Sequence, residues 1–365
     1  MARKLTSADK IKSLIAVTAS GLSLFAGIKQ LYQCKSIKLG FSPTQKTTDS
    51  MTLNTNIFGL KFNNPLGMAA GFDKQAEAVD GLSKMGFGFV EIGSVTPEPQ
   101  PGNPKPRVFR LVQDNAVINR YGFNSDGHEA VYQRLIDLKK NKEFQGIVGV
   151  NLGKNKTSDD PIKDYADGIK KFSDIADYFV INISSPNTAG LRNLQNKKNL
   201  EELLSALNNV RDSMTIKPPL LLKLAPDLTN DEKQDIADVI QKKKSKVDGL
   251  ILSNTTVTRN NLIDVQKNET GGLSGAPLTD MSTHLISDMY QRTQGKIPII
   301  GVGGIFTGKD AYDKIAAGAS LVQIYTSYIY HGPPIVNKIK NELNDLIVSN
   351  GYSSVNDVVG KAINK

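Results

Sequence analysis

From residue 51 onward, short apolar runs alternate with helical patterns, and this repetition limits the fold more than any other feature. Eight runs rich in Val, Ile, Leu and Phe stand at 65–71, 87–95, 146–153, 178–185, 220–225, 249–255, 297–304 and 320–326. They are apolar at successive positions rather than at every second one, as in parallel strands buried on both faces. Between them, Thr229 with Glu232 three residues on reads as a capping box, ahead of an apolar stripe of Ile236, Val239 and Ile240. Ile335, Ile339, Leu343 and Leu346 mark a last helix. Eight such units predict an α/β fold, a (β/α)8 TIM barrel over 51–365. The rival doubly wound sheet needs G-x-G-x-x-G after its first strand, and residues 69–74 read AAGFDK instead. The segment 51–62 alternates around Gly59 and predicts a hairpin that closes the bottom of the barrel.

Composition removes several classes. With 39% hydrophobic and 22% charged residues, neither a disordered chain nor a polytopic membrane protein fits. Cys34 is the one cysteine, so no intramolecular disulfide or multi-cysteine zinc site can form. Of the net charge of +9, six units come from the first fifty residues, which hold eight basic and two acidic side chains. The excess is terminal, not a groove-lining stripe, and no nucleic-acid partner is expected.

The N-terminus divides into a basic targeting segment at 1–12, an apolar segment at 13–32 and a linker at 33–50. The uncharged run 13–28 would span about 24 Å as a helix, short of the roughly 30 Å hydrocarbon core. Continued past a snorkelling Lys29 to Tyr32, it predicts a transmembrane helix, a single membrane anchor. A cleaved signal and a soluble helix are the competing readings.

Barrel enzymes carry their chemistry at the C-terminal strand ends. Here those ends hold Asp73 and Lys74, Gly93 and Ser94, Asn151 and Lys154, Asn182, Ser184, Ser185 and Asn187, Lys223, Ser253, Asn254 and Thr255, Gly303 and Gly304, and Tyr325 and Thr326. The glycine pair lets backbone N–H groups approach a phosphate, as the last two loops of such barrels often do. His128, His284 and His331 do not fall at strand ends, which disfavours a metal site and histidine acid–base chemistry. Amides with two lysines suit a planar, anionic, multiply hydrogen-bonding ligand and an electron-accepting cofactor.

Ten ordered stretches carry a resemblance: NPLGMAAGFDK (64–74), EIGSVTPEPQPGNPKPRVFRL (91–111), INRYGFNSDG (118–127), GVNLGKNK (149–156), NISSPNTAGLR (182–192), LLKLAPDLT (221–229), LSNTT (252–256), GGLSG (271–275), GVGGIFTG (301–308) and LVQIYTS (321–327). The chain resembles dihydroorotate dehydrogenases of class 2, the quinone-dependent, membrane-associated type of the mitochondrion. The resemblance implies an FMN enzyme of pyrimidine biosynthesis that oxidises dihydroorotate to orotate. The hydride would pass from C6 to FMN and the C5 proton to Ser185, and ubiquinone would reoxidise the flavin. It further implies a location at the mitochondrial inner membrane, with the membrane engaged through the N-terminal helix.

The resemblance assigns flavin contacts to Ala69, Ala70, Gly93, Ser94, Asn151, Asn182, Lys223, Ser253, Gly275, Gly304, Tyr325 and Thr326. It assigns orotate contacts to Lys74, Asn119, Asn182, Asn187, Asn254 and Thr255. Ser185 falls at the general base, with Thr188 and Phe123 beside its proton path, and Lys223 can stabilise negative charge near flavin N1. Arg110 and Tyr325 fall between flavin and quinone. No metal is implied. The family carries two helices between anchor and barrel, and only twenty-two residues, 29–50, occupy that place here. The pair reads as absent, so impaired quinone use and a non-catalytic product are the alternatives to an active quinone reductase. A 2-hydroxy-acid oxidase would need a histidine base at a strand end.

Overall fold

A computed structural model describes residues 49–363. In chain order, β1 (Thr55–Ile57) and β2 (Leu60–Phe62) form an antiparallel hairpin, followed by β3 (Leu66–Met68) and β4 (Phe89–Val95). Next come β5 (Val108–Leu111), β6 (Ala116–Asn119), β7 (Ile147–Leu152), β8 (Tyr178–Asn182), β9 (Leu220–Leu224) and β10 (Gly249–Leu252). The last three are β11 (Gly272–Gly275), β12 (Ile299–Val302) and β13 (Ala319–Ile324). Eight of them close a parallel barrel in the order β10-β12-β13-β3-β4-β7-β8-β9. Each falls within a few residues of one of the eight runs expected from the sequence, and nearly all their residues are buried.

Large and small residues alternate inside the barrel. A Cβ on Gly67 would collide with the ring of Phe89, and one on Gly149 with the ring of Tyr178. Those two glycines leave room for aromatic rings at the N-terminal ends of the strands. Phe62 from the hairpin packs on Phe89 at 5.4 Å between centroids, and Phe89 lies 6.4 Å from Tyr178. Ile57, Phe58 and Leu60 pack against the same cluster. The expected hairpin over 51–62 therefore plugs the bottom of the barrel. The helix Asn230–Ile240 starts with the expected reciprocal cap: Glu232 N donates to Thr229 Oγ1 at 3.3 Å, and Thr229 N to Glu232 Oε2 at 2.8 Å. On Pro334–Ser349, Ile347 rather than Leu346 completes the buried stripe.

A three-stranded antiparallel sheet, β11-β6-β5, was not expected. It joins β11 to β6, more than 150 residues away, through Leu273↔Ile118, and β6 to its neighbour β5 through Phe109↔Ile118, around a core of Leu111, Ala116, Ile118, Leu262 and Leu273.

One part of the expected fold is corrected. Among the described residues no helix is long and apolar enough to cross a membrane. The anchor expected at 13–32, with the targeting segment 1–12 and the linker up to residue 48, lies outside the described residues. The anchor reading needed a helix running on past Lys29, because the uncharged run alone is shorter than a bilayer core. The transmembrane segment, the membrane as a partner and the anchored inner-membrane location are withdrawn with it.

Candidate active site

The C-terminal ends of the barrel strands and the β11-β6-β5 sheet enclose an open cavity of about 990 Å³, counting space continuous with solvent. Register sets side chains of adjacent strands level with each other: Asn182 of β8 pairs with Lys223 of β9, and Gly93 of β4 with Asn151 of β7. Ser94 Oγ donates to Asn151 Oδ1, and Asn182 Nδ2 donates to Ser94 Oγ at 2.9 Å. Asn254 Nδ2 donates to Ser184 Oγ at 2.9 Å, and that hydroxyl donates to Asn182 Oδ1 at 3.0 Å. Across the mouth, Asn187 Nδ2 donates to Asn119 O at 3.1 Å, tying the loop after β8 to β6. The amides are thus cross-linked before any ligand arrives, which fixes their orientation.

Lys74 and Lys223 both face this cavity. Lys223 is buried, with its Nζ 3.6 Å from the Glu91 carboxylate. Lys74 is partly covered, and its Nζ stands 4.7 Å from the centre of the Tyr121 ring. Among the described residues it has no carboxylate partner. Desolvation, then the nearby Arg107 and Lys223 charges, lower its pKa to about 8. An uncompensated cation in an amide-lined cavity favours an anionic ligand.

The glycine loop expected to face an anion lies on the same cavity wall. Gly303 and Gly304 line the cavity with φ of 117° and 69°, and Ile305 follows them there. The helix Thr326–His331 begins at the same wall with no side-chain cap on its first turn. Thr326 Oγ1 lies 2.8 Å from Ser274 Oγ, which joins this wall to β11.

Of the residues expected at the site, Ala69, Ala70, Ser94, Asn119 and Asn182, Ser185 and Asn187, Ser253, Asn254 and Thr255, Gly275, Gly304, Tyr325 and Thr326 line the cavity together with the two lysines and Phe123. Ser185 is buried and its Oγ accepts from Asn187 N at 3.2 Å. Four expected residues stand off the lining. Gly93 accepts from Gly71 N at 2.8 Å, one layer back. Asn151 is wholly buried beneath Ser94. Thr188 is buried beyond Ser185. Arg110 is exposed on β5, its guanidinium 5.6 Å from the Tyr330 ring centre. Tyr325, on the lining, sets its ring edge-on to Phe72 at 5.9 Å.

Sequence reasoning missed three polar groups. Glu91 is completely buried in β4, accepting from Asn151 Nδ2 at 2.8 Å and Gln323 Nε2 at 2.7 Å. It anchors the layer beneath Lys223. Gln323 Oε1 and Ser327 Oγ are buried without a hydrogen-bond partner among the described residues, and both residues line the cavity. The available signal was a lone polar residue inside an apolar run: Glu91 within 87–95 and Gln323 within 320–326.

The family model for dihydroorotate dehydrogenase matches residues 52–347. The chain belongs to the dihydroorotate dehydrogenase family. It is 54% identical over 332 residues to a mitochondrial quinone-dependent dihydroorotate dehydrogenase of Mus musculus, covering 89% of this chain and 83% of the mouse one. It is 50% identical over 348 residues to a quinone-dependent relative from Parvibaculum lavamentivorans, covering 95% of each. A ligand-free dihydroorotate dehydrogenase structure from Eimeria tenella superposes with a TM-score of 0.87 at 44% identity, over 92% of this chain and 98% of that one. The resemblance is to the quinone-dependent class, and members of this dihydroorotate dehydrogenase family use FMN. The three histidines lie on helices, so the histidine base of a hydroxy-acid oxidase has no counterpart at a described strand end.

Proposed function

We propose that the barrel mouth oxidises dihydroorotate to orotate, with the cofactor cradled between the glycine loop, Lys223 and the strand ends. FMN, when bound, accepts the two electrons of the oxidation and passes them to ubiquinone. The fit to FMN rests on the donor set. Glycine-loop backbone, an uncapped helix start and the hydroxyls of Thr326 and Ser327 suit a phosphate, and the orphaned Gln323 Oε1 can accept from an N–H. Ala69, Ala70, Ser94, Ser253, Gly275, Gly304 and Tyr325 supply the surrounding wall, with Gly93, Asn151 and Asn182 fixing it from behind. Lys223 holds a cation beside the ring system.

The substrate would lie against the amide cluster. Lys74 pairs with its carboxylate, while Asn119, Asn182, Asn187, Asn254 and Thr255 meet the donors and acceptors of its ring. Ser185 Oγ takes the C5 proton. A hydroxyl is a weak base near neutral pH, so a water and Thr188 carry the proton onward, and Phe123 shields the path. Arg110 and Tyr325 would face the quinone side.

The observation that carries this reading is Lys74, a cation with no carboxylate partner among the described residues, facing a cavity walled by asparagine amides. Purified protein loaded with FMN should lose its visible absorbance when dihydroorotate is added without oxygen. Dihydroorotate KM should rise as pH passes about 8, where free Lys74 loses its proton. Lys74→Ala should remove that dependence. An FMN-loaded protein that dihydroorotate does not bleach overturns the proposal.

A further inference from the structure

Lys314 lies on the helix Gly308–Ala316 and is fully buried. Its Nζ donates to Thr279 O at 3.1 Å, Ser282 Oγ at 2.6 Å and Thr283 Oγ1 at 2.8 Å. Among the described residues none of its hydrogen-bond acceptors is a carboxylate. A buried ammonium without an anion in hydrogen-bond contact is costly, and packing alone would be served by methionine. Burial lowers its pKa to about 7. Three carboxylates oppose that fall, Asp310 and Asp313 from its own helix and Asp280 from Thr279–Arg292. The neighbouring strand β13 brings no charge, and Glu342 of Pro334–Ser349 accepts from Gly308 N at 2.7 Å.

The acceptors of Lys314 lead to the cavity. Ser282 Oγ lies 3.1 Å from Gly303 O, and Thr279 Oγ1 donates to Gly304 O at 2.8 Å. A trans peptide points its C=O and N–H in opposite directions. Carbonyls of Gly303 and Gly304 held toward the helix Thr279–Arg292 therefore turn the N–H groups of Gly304 and Ile305 toward the cavity those residues line. Neither N–H has a backbone acceptor among the described residues.

We propose that Lys314 is a positioning residue for the cofactor phosphate: its ammonium sits behind the Gly303–Gly304 loop, locks the Ser282 hydroxyl that holds Gly303 O and the carbonyl of Thr279, whose hydroxyl holds Gly304 O, and adds positive charge behind the bound dianion. This rests on the reading that the loop takes the phosphate of FMN. A bound dianion favours charged Lys314, so binding takes up a proton wherever the free protein holds Lys314 neutral. FMN affinity is then fully supported below about pH 7 and declines as pH rises above it. Riboflavin has no phosphate and does not share the decline.

The test measures dissociation constants of the full chain for FMN and riboflavin by flavin fluorescence from about pH 6 to about pH 9. Wild type should prefer FMN, with the preference shrinking above about pH 7 by up to about tenfold per unit. Lys314→Met should weaken FMN on the order of tenfold or more at neutral pH, leave riboflavin within about twofold, and flatten the decline. Equal loss of both flavins, or an unchanged FMN profile, overturns the proposal. If Lys314→Met does not fold, the wild-type profile decides, and a preference for FMN that stays constant across the range overturns it. Wild type binding both flavins equally at every pH would instead overturn the phosphate-site reading beneath it.

Discussion

At the N-terminal ends of the barrel strands, Phe62, Phe89 and Tyr178 pack ring against ring beneath the hairpin. Four residues along β8 from Tyr178, at the other end, stands Asn182, level with Lys223 and bonded to Ser94. That step is about 13 Å of strand. Over it the interior changes from rings without a charge to amides and a cation. Glu91 marks the boundary. It lies two residues past Phe89 and holds Asn151, Gln323 and Lys223. The contrast divides labour: the closed end supplies apolar burial, and the mouth uses part of that stability to keep buried polar atoms such as Gln323 Oε1 without a partner.

If the division is real, substitutions at the two ends should fail in different ways. The largest effect is expected at the mouth. Ser185→Ala should slow flavin reduction by dihydroorotate by about 10²–10⁴-fold, the usual cost of losing a general base. Orotate binding and thermal stability should change little, because among the described residues Ser185 Oγ accepts one backbone hydrogen bond, from Asn187 N. Stopped-flow reduction and a melting curve measure both. A destabilised protein with near-normal reduction would break the comparison.

At the closed end the order reverses. Phe89 is about 1% exposed and packs on Phe62, Tyr178 and the space above Gly67. Phe89→Ala should cost about 3–5 kcal/mol of unfolding free energy. The reduction rate of the folded fraction should stay within a few-fold. If that rate drops as far as in Ser185→Ala, the two ends are mechanically coupled through Glu91 and the division is false.

The same contrast explains what could be read from the chain. Strands buried on both faces show as continuous apolar runs, so the barrel was legible. Their C-terminal limits were not: 178–185 ends as strand at Asn182, and 249–255 at Leu252, because the polar residues beyond belong to the mouth. The β11-β6-β5 sheet left no comparable trace. Val108 and Arg110 are exposed on its edge strand, and the β11–β6 pairing joins distant segments. Glu91 and Gln323 were hidden inside runs that otherwise read as core. The glycine loop and the amide-rich strand ends were legible as chemistry, whereas their hydrogen-bond order needed geometry. The apolar run at 13–28 read as an anchor only through an extension past Lys29, and that reading was withdrawn.

The smallest expected effect sharpens the comparison through pH. His128 lies outside the barrel on the mouth side. It is buried, stacked edge-on to Phe172 at 5.3 Å, its ring Nε2 has no hydrogen-bond partner among the described residues, and its backbone N–H donates to Pro97 O at 3.1 Å. Burial lowers its pKa to about 4 from 6.5. As pH falls below about 6.5, the unfolded chain takes up the proton before the folded one does. The stability associated with a neutral His128 is therefore complete above about pH 6.5 and is lost progressively down to about pH 4, amounting to about 2 kcal/mol by pH 5. His128→Phe keeps the ring and removes the titration. Denaturant unfolding at pH 7 and pH 5 should show the variant losing less stability between the two than wild type. The difference should appear equally in a Phe89→Ala background, because the charges acting on His128, Asp167 and Lys171, lie on the outer helix Pro161–Phe172 and not at the closed end. Parallel losses in wild type and His128→Phe would mean that acid acts on the mouth through its carboxylates alone, and non-additivity with Phe89→Ala would join the two ends into one unit.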